Sequence, residues 1–176
     1  MLFTEMAIKG VYLIGLERKE DHRGFFARAW CHQEFDTHGL NPSLVQVNVG
    51  FSRKKGTLRG MHFQRHPHQE AKLVRCTMGQ IFDVTVDLRP NSPTYRQWVG
   101  AELTADNRAM LYVPEGCAHG YQTLQDDAEV VYQTSTFFSA THATGVRFDD
   151  PAFGIVWPMG VEVISEMDKV WPLMVP

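Results

Sequence analysis

Apolar and polar residues alternate along several short stretches of this chain. The clearest is Gln80–Arg89, in which apolar residues occupy positions 82, 84, 86 and 88 and Asp83, Thr85 and Asp87 lie between them. A period of two is typical of a β-strand with one buried face. Asp83 and Asp87 share the polar face, where they could be solvated strand charges; for Asp83 a place in a functional site is equally open.

Five other stretches have a similar pattern and predict further strands. They are Leu44–Phe51, Lys72–Cys76, Trp98–Leu103, Met110–Val113 and Glu129–Thr136. Closely spaced strands separated by Gly, Pro, Asn and Asp favour an antiparallel sandwich or barrel. Helical signals are confined to His32–His38 and Val161–Asp168, and no Gly-x-Gly-x-x-Gly motif supports a Rossmann fold. We therefore predict an all-β protein with minor short helices.

The composition is that of an ordinary globular protein. The chain has 176 residues, 44% hydrophobic and 21% charged, with a net charge of −3, which excludes disordered and coiled-coil proteins and fits one domain over residues 1–176. No apolar run reaches the roughly 18 residues that span a bilayer, and no basic run suits nucleic acid. The three cysteines argue against a disulfide framework and, with no secretory signal at the start, favour a cytoplasmic location.

Two segments concentrate the side chains that could carry chemistry. The first is dense in polar and basic residues, namely Gln46, Asn48, Arg59, His62, Gln64, His66, His68, Glu70 and Lys72. Because an unpaired polar group in a sheet core costs a few kcal/mol, this density predicts a polar pocket inside the barrel. The second segment, Pro114–Gly120, is a turn that delivers His119 to the start of the next strand.

Together the two segments resemble the two halves of the cupin signature. The second half, Pro-x-Gly-x-x-His, matches Pro114, Gly116 and His119, but the first half lacks its second histidine because Gln64 stands there. An amide is a poor substitute for imidazole, so the sequence predicts no metal. A metal-dependent cupin is the alternative, and its ligands would be His62, Glu70 and His119, with His66 or His68 in reserve.

A longer series of motifs gives a closer resemblance. In chain order the motifs are Asp21-x-Arg23-Gly24-x-Phe26, Gln46-x-Asn48, Leu58–Gln64, Lys72-Leu73-Val74, Asp83–Arg89, His119-Gly120, Tyr132, Asp149-Asp150-Pro151, Ile155-x-Trp157-Pro158 and Ile164–Asp168. From about residue 4 to residue 170 the chain resembles the dTDP-4-dehydrorhamnose 3,5-epimerase family, the metal-free, cupin-like sugar epimerases. The resemblance implies a cupin-type jelly-roll, or double-stranded β-helix, that uses no cofactor. It also implies a homodimer acting on a nucleotide-linked 4-keto-6-deoxyhexose.

The same resemblance implies roles for residues at matched positions. Catalysis would involve His62 as general base, Tyr132 as general acid, Asp168 as the carboxylate that bonds the base, and Lys72 at the sugar end. Substrate binding would involve Arg23 and Arg59 at the diphosphate, Gln46 and Asn48 at the nucleotide and sugar, and also Phe26, Arg28, His119, Phe138 and Lys169. Arg23 and Phe26 would belong to an N-terminal arm, about residues 1–30, that enters the partner's site.

The chemistry of such a reaction suits these residue types. Epimerising a carbon beside a ketone removes an α-proton and returns it on the opposite face, which requires a base with a pKa near neutrality, such as a His at about 6.5. A carboxylate fixes the tautomer of that His, and a Lys ammonium stabilises the enolate. A Tyr across the sugar ring can return the proton, and Arg side chains suit the phosphates.

One strand poses a geometric problem. Strict alternation would place Arg59 and His62 on opposite faces, so both can face one pocket only if the strand kinks or Arg59 reaches round the rim. Gly60 lies between them and is a suitable position for a bulge. We therefore expect an irregularity at Gly60.

Departures from the family's usual pattern leave the substrate open. Asn48–Ser52 lacks one hydroxyl of the usual Asn-x-Ser-x-Ser run, Arg28 stands where Glu is common, and Phe137-Phe138 replaces a Tyr pair, although Phe138 can still stack on a base. The first prediction is conversion of dTDP-4-dehydro-6-deoxy-D-glucose to dTDP-4-dehydro-L-rhamnose. The alternatives are epimerisation at C3 only, a CDP- or GDP-linked substrate, a metal-dependent cupin, and a non-catalytic sugar-binding cupin.

Overall fold

Residues 1–174, which the computed structural model describes, form short strands separated by turns. The strands are β1 (Leu2–Glu5), β2 (Tyr12–Gly15), β3 (Lys19–Asp21), β4 (Gly24–Phe26), β5 (Gln46–Ser52), β6 (Thr57–Gln64), β7 (Lys72–Met78), β8 (Gln80–Asp87), β9 (Trp98–Thr104), β10 (Met110–Val113), β11 (Cys117–Thr123), β12 (Ala128–Thr134), β13 (Ala143–Gly145) and β14 (Val163–Ile164). The helices are α1 (His32–Thr37) and α2 (Glu166–Lys169). Within this described part of the chain, no helix is long and apolar enough to cross a membrane.

Two largely antiparallel sheets face each other. The first has the strand order β1-β2-β10-β7-β12-β5, and the second has the order β13-β6-β11-β8-β9, with β14 parallel to one end of β6. Strands distant in sequence are neighbours, as when β11 lies between β6 and β8. This is the jelly-roll arrangement of cupins, so the predicted fold is confirmed. A separate hairpin consists of β3 and β4.

The second sheet is buried on both of its faces around β8. Val84 and Val86 pack against Phe153 of the C-terminal segment, while Asp83 and Asp87 on the opposite face are also fully buried. The option that these aspartates are solvated strand charges is therefore wrong. The alternation in β8 separates an apolar outer face, covered by the C-terminal segment, from a polar face that points into the barrel.

Local patterning located six of the fourteen strands and one of the two helices in the described part of the chain. The six predicted strands correspond to β5, β7, β8, β9, β10 and β12 to within two residues at each end, and the helix predicted over His32–His38 is α1. The helix predicted over Val161–Asp168 is wrong in its first half, which forms β14 and pairs with β6. The pattern predicts no strands over residues 2–26, yet β1 to β4 form there. Strands β1, β3 and β4 are mostly exposed, so they lack the apolar alternation that marks a buried face, and β2 has only four residues.

The expected irregularity in β6 lies at Gly60. His119 of β11 pairs with His62, whereas Tyr121 pairs with Arg59, so three residue steps of β6 match two of β11 and form a bulge. Gly60 has a φ of +131°, and a Cβ there would lie 2.5 Å from a backbone atom of β11. Only glycine fits this position, and the bulge lets Arg59 and His62 face the same cavity.

Asp87, at the end of β8, holds the turn that follows it. Its buried carboxylate accepts hydrogen bonds from Arg89 Nε at 2.8 Å, from Thr94 Oγ1 at 2.7 Å and from the Ser92 hydroxyl. Arg89 also donates to the carbonyl oxygen of Lys9 at 2.9 Å, which ties the N-terminal segment to the barrel. Burial acts to raise the pKa of Asp87, but these donors outweigh it and lower the pKa to about 2.

We expect Asp87→Asn to lower the free energy of unfolding by about 3 kcal/mol at neutral pH, because it removes a buried charge that several donors surround. The folded pKa of about 2 lies below the usual 3.8, so the contribution is fully present above about pH 4. It fades as the pH falls toward 2. Urea unfolding of both proteins across this pH range measures the difference.

Asp149→Asn is the matched control. Asp149 also accepts from an arginine two residues away, Arg147, but both side chains are substantially exposed. A surface pair of this kind contributes about 0–1 kcal/mol. Equal losses of stability from the two substitutions would contradict the role assigned to Asp87.

Candidate active site

A cavity of about 990 Å³ opens between the two sheets. Strands β5, β7 and β12 line one side, β6 and β11 line the other, and β13 and the segment around α2 complete the wall. Its volume suits a small-molecule site. The sequence-predicted residues that line it are His62, Lys72, Tyr132, Asp168, Gln46, Asn48, Arg59, His119 and Phe138.

His62 on β6 and Asp168 on α2 form a pair although they are 106 residues apart. Nε2 of His62 lies 2.6 Å from Oδ1 of Asp168. The His62 side chain is 45% exposed and lines the cavity, whereas that of Asp168 is 6% exposed. Because Nε2 faces the carboxylate, Nδ1 is the nitrogen free to accept a proton from a ligand.

Three donors hold the Asp168 carboxylate. Besides His62, they are the backbone N–H of Gly60, 3.3 Å from Oδ2, and the indole N–H of Trp171, 3.1 Å from Oδ1. Ser165 caps α2 by accepting from the Asp168 N–H at 3.1 Å. Burial acts to raise the pKa of Asp168, but the interactions with His62, Trp171 and Gly60 outweigh it and hold the pKa below its usual range. The carboxylate therefore stays ionised beside His62.

A second pair, His119 with Asp83, is more deeply buried. Nε2 of His119 lies 2.9 Å from both carboxylate oxygens of Asp83. The His119 side chain is only 9% exposed and that of Asp83 is 0% exposed. Burial raises the pKa of Asp83, against the opposing effects of His119 and Lys72. The His62 side chain is more exposed to the cavity than that of His119. His62 is therefore the histidine that can reach a reacting atom.

Tyr132 lies on β12, in the sheet opposite to His62, and lines the same cavity. Burial raises the pKa of the Tyr132 phenol, the negative charge of Glu70 raises it further, and Arg59 acts in the opposite direction. The phenol is therefore protonated at neutral pH. A base and an acid on opposite sheets suit a reaction that removes a proton from one face of a ligand and returns it to the other.

Lys72 adds a buried positive charge to the cavity wall. Its side chain is 9% exposed, and Nζ lies 3.2 Å from Oε1 of Glu70 and 3.2 Å from the carbonyl oxygen of His62. A cation in a site that excludes water can stabilise an enolate oxygen. Base, acid and cation together suit proton transfer at a carbon beside a carbonyl.

Polar residues of β5 and β6 line the rest of the cavity. Arg59 donates to Oγ of Ser52 at 3.1 Å and to a backbone carbonyl at 2.9 Å, which leaves further N–H groups for a ligand. Gln46 donates to Oδ1 of Asn48 at 2.9 Å and accepts from the backbone N–H of Phe138 at 3.3 Å. The Phe138 side chain is 64% exposed. A guanidinium, two amides and an exposed ring suit a nucleoside diphosphate.

Four sequence-predicted residues lie outside the cavity of their own chain. Arg23 and Phe26 belong to the exposed β3–β4 hairpin, where Phe26 is 74% exposed. Arg28 and Lys169 each pair with a glutamate, at 2.8 and 2.6 Å. Their predicted contacts with a ligand are therefore not available within this one chain as it stands.

Among the residues of the cavity wall to which the sequence pattern did not point are Tyr121, Thr134 and Trp171. Trp171 has no local signal, because it lies two residues beyond the end of α2 and reaches Asp168 from there. Tyr121 and Thr134 lie on β11 and β12, where alternation also fits an apolar core. Their place in the wall depends on how the two sheets face each other.

Gln64 occupies the position at which metal-dependent cupins have their second histidine. Its buried amide accepts from the Ser139 N–H at 2.6 Å and donates toward Glu70, at 3.1 Å, and toward two backbone carbonyls. Among residues 1–174, no three His, Cys, Asp or Glu side chains come together as potential metal ligands. The reserve ligands His66 and His68 do not line the cavity.

Known proteins are similar in sequence to this protein over nearly the whole chain. The family model for dTDP-4-dehydrorhamnose 3,5-epimerase matches residues 5–175. A dTDP-4-dehydrorhamnose 3,5-epimerase from Sinorhizobium fredii is 44% identical over 173 residues, which cover 98% of this chain and 89% of that protein.

Solved structures agree with the sequence match. The dTDP-4-dehydrorhamnose 3,5-epimerase from Bacillus anthracis with TDP and PPi bound has a TM-score of 0.93 and 39% identity, covering 98% of this chain and 99% of that one. ChmJ, a 3'-monoepimerase from Streptomyces bikiniensis in complex with dTDP-quinovose, has a TM-score of 0.86 and 30% identity, covering 96% and 85%. Sequence and fold lead to the same conclusion: the chain belongs to the dTDP-4-dehydrorhamnose 3,5-epimerase family.

Proposed function

We propose that this protein epimerises C3 and C5 of dTDP-4-dehydro-6-deoxy-D-glucose to give dTDP-4-dehydro-L-rhamnose, without a cofactor. The observation that carries the proposal is the His62–Asp168 pair on one wall of a cavity whose opposite wall holds Tyr132. Family membership supports the substrate class, because the named relatives act on a dTDP-linked 4-dehydro sugar.

In the first step, Nδ1 of His62 takes the proton from a carbon beside the ketone. The C–H electron pair moves into the ring carbon–carbon bond, and the carbonyl becomes an enolate whose oxygen the Lys72 ammonium stabilises. Asp168, 2.6 Å from the other nitrogen of His62, stabilises the imidazolium that forms.

In the second step, Tyr132 returns a proton to the same carbon from the opposite face. The enolate electrons form the new C–H bond, the phenol oxygen keeps the electron pair of its O–H bond, and the ketone is restored. Proton exchange with water then returns the imidazolium and the phenolate to their starting forms. C3 and C5 flank the same C4 ketone, so one cation serves both carbons.

Epimerisation at C3 only is the second candidate. It is favoured by the likeness to ChmJ, a 3'-monoepimerase, at 30% identity. Phe137 and Phe138 stand where the family often has a tyrosine pair, and Phe138, which lines the cavity, offers no hydroxyl. Counting the solvent deuterons in the product separates the candidates, since C3 epimerisation alone introduces one and epimerisation at both carbons introduces two.

We expect His62→Ala to lower the rate of product formation about a thousandfold, because no other exposed imidazole lines the described part of the cavity. Incubation with the dTDP-linked ketosugar in heavy water, followed by proton NMR at the carbons flanking the ketone, measures this loss. His32→Ala removes an exposed histidine on α1 and is the control. Substantial deuterium uptake by His62→Ala would exclude His62 as the base.

We expect Tyr132→Phe to separate exchange from inversion. His62 can still remove and return a proton on one face, so deuterium enters the starting sugar while product formation falls about a hundredfold. Tyr121→Phe is the matched comparison, because this second phenol also lines the cavity. If Tyr121→Phe shows the separation and Tyr132→Phe does not, the acid is Tyr121.

We also infer a homodimer in which each hairpin enters the cavity of the other copy. The β3–β4 hairpin is exposed along its length and carries Arg23 and Phe26. Strand β5 lies at a sheet edge, and its residues Val47 and Phe51, which do not line the cavity, are 59% and 43% exposed. An exposed apolar edge favours pairing with another chain, and a second copy would also supply the hairpin residues.

Mixed dimers test this exchange. Arg23→Ala and His62→Ala each impair turnover, but co-expressing the two variants should restore on the order of a quarter of the wild-type rate, because half of the dimers then contain one intact composite site. The control is the double variant Arg23→Ala/His62→Ala, expressed without a second chain. If the hairpin serves its own chain, no mixed dimer has an intact site and no activity returns.

A cytoplasmic location stays part of this proposal and is supported by the cysteines. Cys31, Cys76 and Cys117 are all unpaired. Burial raises the pKa of Cys76 to about 11 and that of Cys117 to about 12, so both thiols remain protonated and unreactive at neutral pH. A chain without disulfides suits a reducing compartment.

A further inference from the structure

The Lys72 ammonium is held on two sides by the protein. One N–H donates to the carbonyl oxygen of His62 at 3.2 Å, and Oε1 of Glu70 lies 3.2 Å from the same nitrogen. An ammonium has three N–H groups, and Lys72 lines the cavity. Two acceptors therefore fix the head group and leave one N–H for a ligand oxygen.

Glu70 is held as firmly as Lys72. Its side chain is 11% exposed, and Oε2 accepts from Nε2 of Gln64 at 3.1 Å. The amide of Gln64 cannot turn round, because its oxygen accepts from the Ser139 N–H at 2.6 Å. A chain of buried polar contacts thus runs from Ser139 through Gln64 and Glu70 to Lys72.

The loop that carries Glu70 is fastened without this carboxylate. On one side, the Thr136 hydroxyl donates to the carbonyl oxygen of Gln69 at 2.9 Å. On the other, the Ala71 N–H donates to Oγ of Ser135 at 2.8 Å. A buried carboxylate is costly unless it is paired, so a loop anchor alone does not account for Glu70.

We propose that Glu70 is a positioning residue for the epimerisation, an inference that rests on the proposed function: its carboxylate, held by Gln64, fixes the Lys72 ammonium so that the free N–H faces the ketone oxygen. Glu70 acts through Lys72 and contacts no reacting atom. An ammonium aimed in advance stabilises the enolate without reorganising during the reaction, which is the source of most electrostatic catalysis.

The same carboxylate influences the acid. The charged and titratable groups that act on Tyr132 are Glu70 and Arg59, and the Tyr121 phenol is close enough to be affected by Tyr132. Two effects raise the pKa of Tyr132: burial, which is the larger, and the negative charge of Glu70. Neutralising Glu70 should therefore lower the pKa of the phenol.

Glu70→Gln tests the proposal, because it keeps the size of the side chain and removes its charge. We expect kcat to fall about tenfold to a hundredfold while KM changes by less than about threefold, since the stabilisation lost belongs to the transition state. We also expect the phenol of Tyr132 to titrate at lower pH. Ultraviolet difference titration, with Tyr132→Phe subtracted in each background, isolates this phenol and needs no substrate.

Two further variants make the test specific. Glu102→Gln removes an equal charge from an exposed site on β9 and should match the wild type in every measurement. Glu70→Asp keeps the charge, so the Tyr132 titration should stay close to that of the wild type while kcat is intermediate. If Glu70→Gln does not fold, the kcat of Glu70→Asp still tests whether the position of the carboxylate matters.

The outcomes separate this inference from the proposed function. If the wild type does not turn over the dTDP-linked ketosugar, the proposed function fails, and an unchanged Tyr132 titration in Glu70→Gln would then also reject the placement of Glu70. If the wild type is active and Glu70→Gln retains its kcat, KM and titration, Glu70 is not a positioning residue. A fall in kcat together with the titration shift supports it.

Discussion

The hydrogen bond between His62 and Asp168 is the interaction on which the site depends. It joins β6, in the first half of the chain, to the last helical turn, so the cavity is complete only when the C-terminal segment is in place. The bulge at Gly60 makes the contact possible in two ways. It turns His62 toward the cavity, and its own N–H donates to Asp168.

Charges inside the barrel are tolerated because they are paired. Asp83 contacts His119, Glu70 contacts Lys72 and Gln64, and each pair is nearly or fully buried. Low exposure of these groups strengthens their electrostatic interactions with a ligand. The same burial that costs free energy during folding therefore prepares a cation and a protonated phenol before a substrate arrives.

The sequence pattern predicted six strands of the barrel, because apolar and polar positions alternate along them. It did not allow β1 to β4 or β14 to be predicted, because β1, β3 and β4 are mostly exposed, whereas β2 and β14 are short and pair with strands distant in the chain. For the site, matched motifs pointed to His62, Tyr132 and Asp168, while Trp171 lay outside every motif. Its indole N–H matters only because the chain folds back over β6.

The sequence by itself determined the all-β class, the family and the residue types required for proton transfer, because alternation and short motifs are local properties. Only the tertiary structure decided which histidine is exposed to the cavity and that the Gln64 amide contacts Glu70. It also decided that Arg23 and Phe26 lie away from the cavity of their own chain. These outcomes depend on contacts between residues tens of positions apart, and no local pattern encodes the direction in which a side chain meets a distant partner.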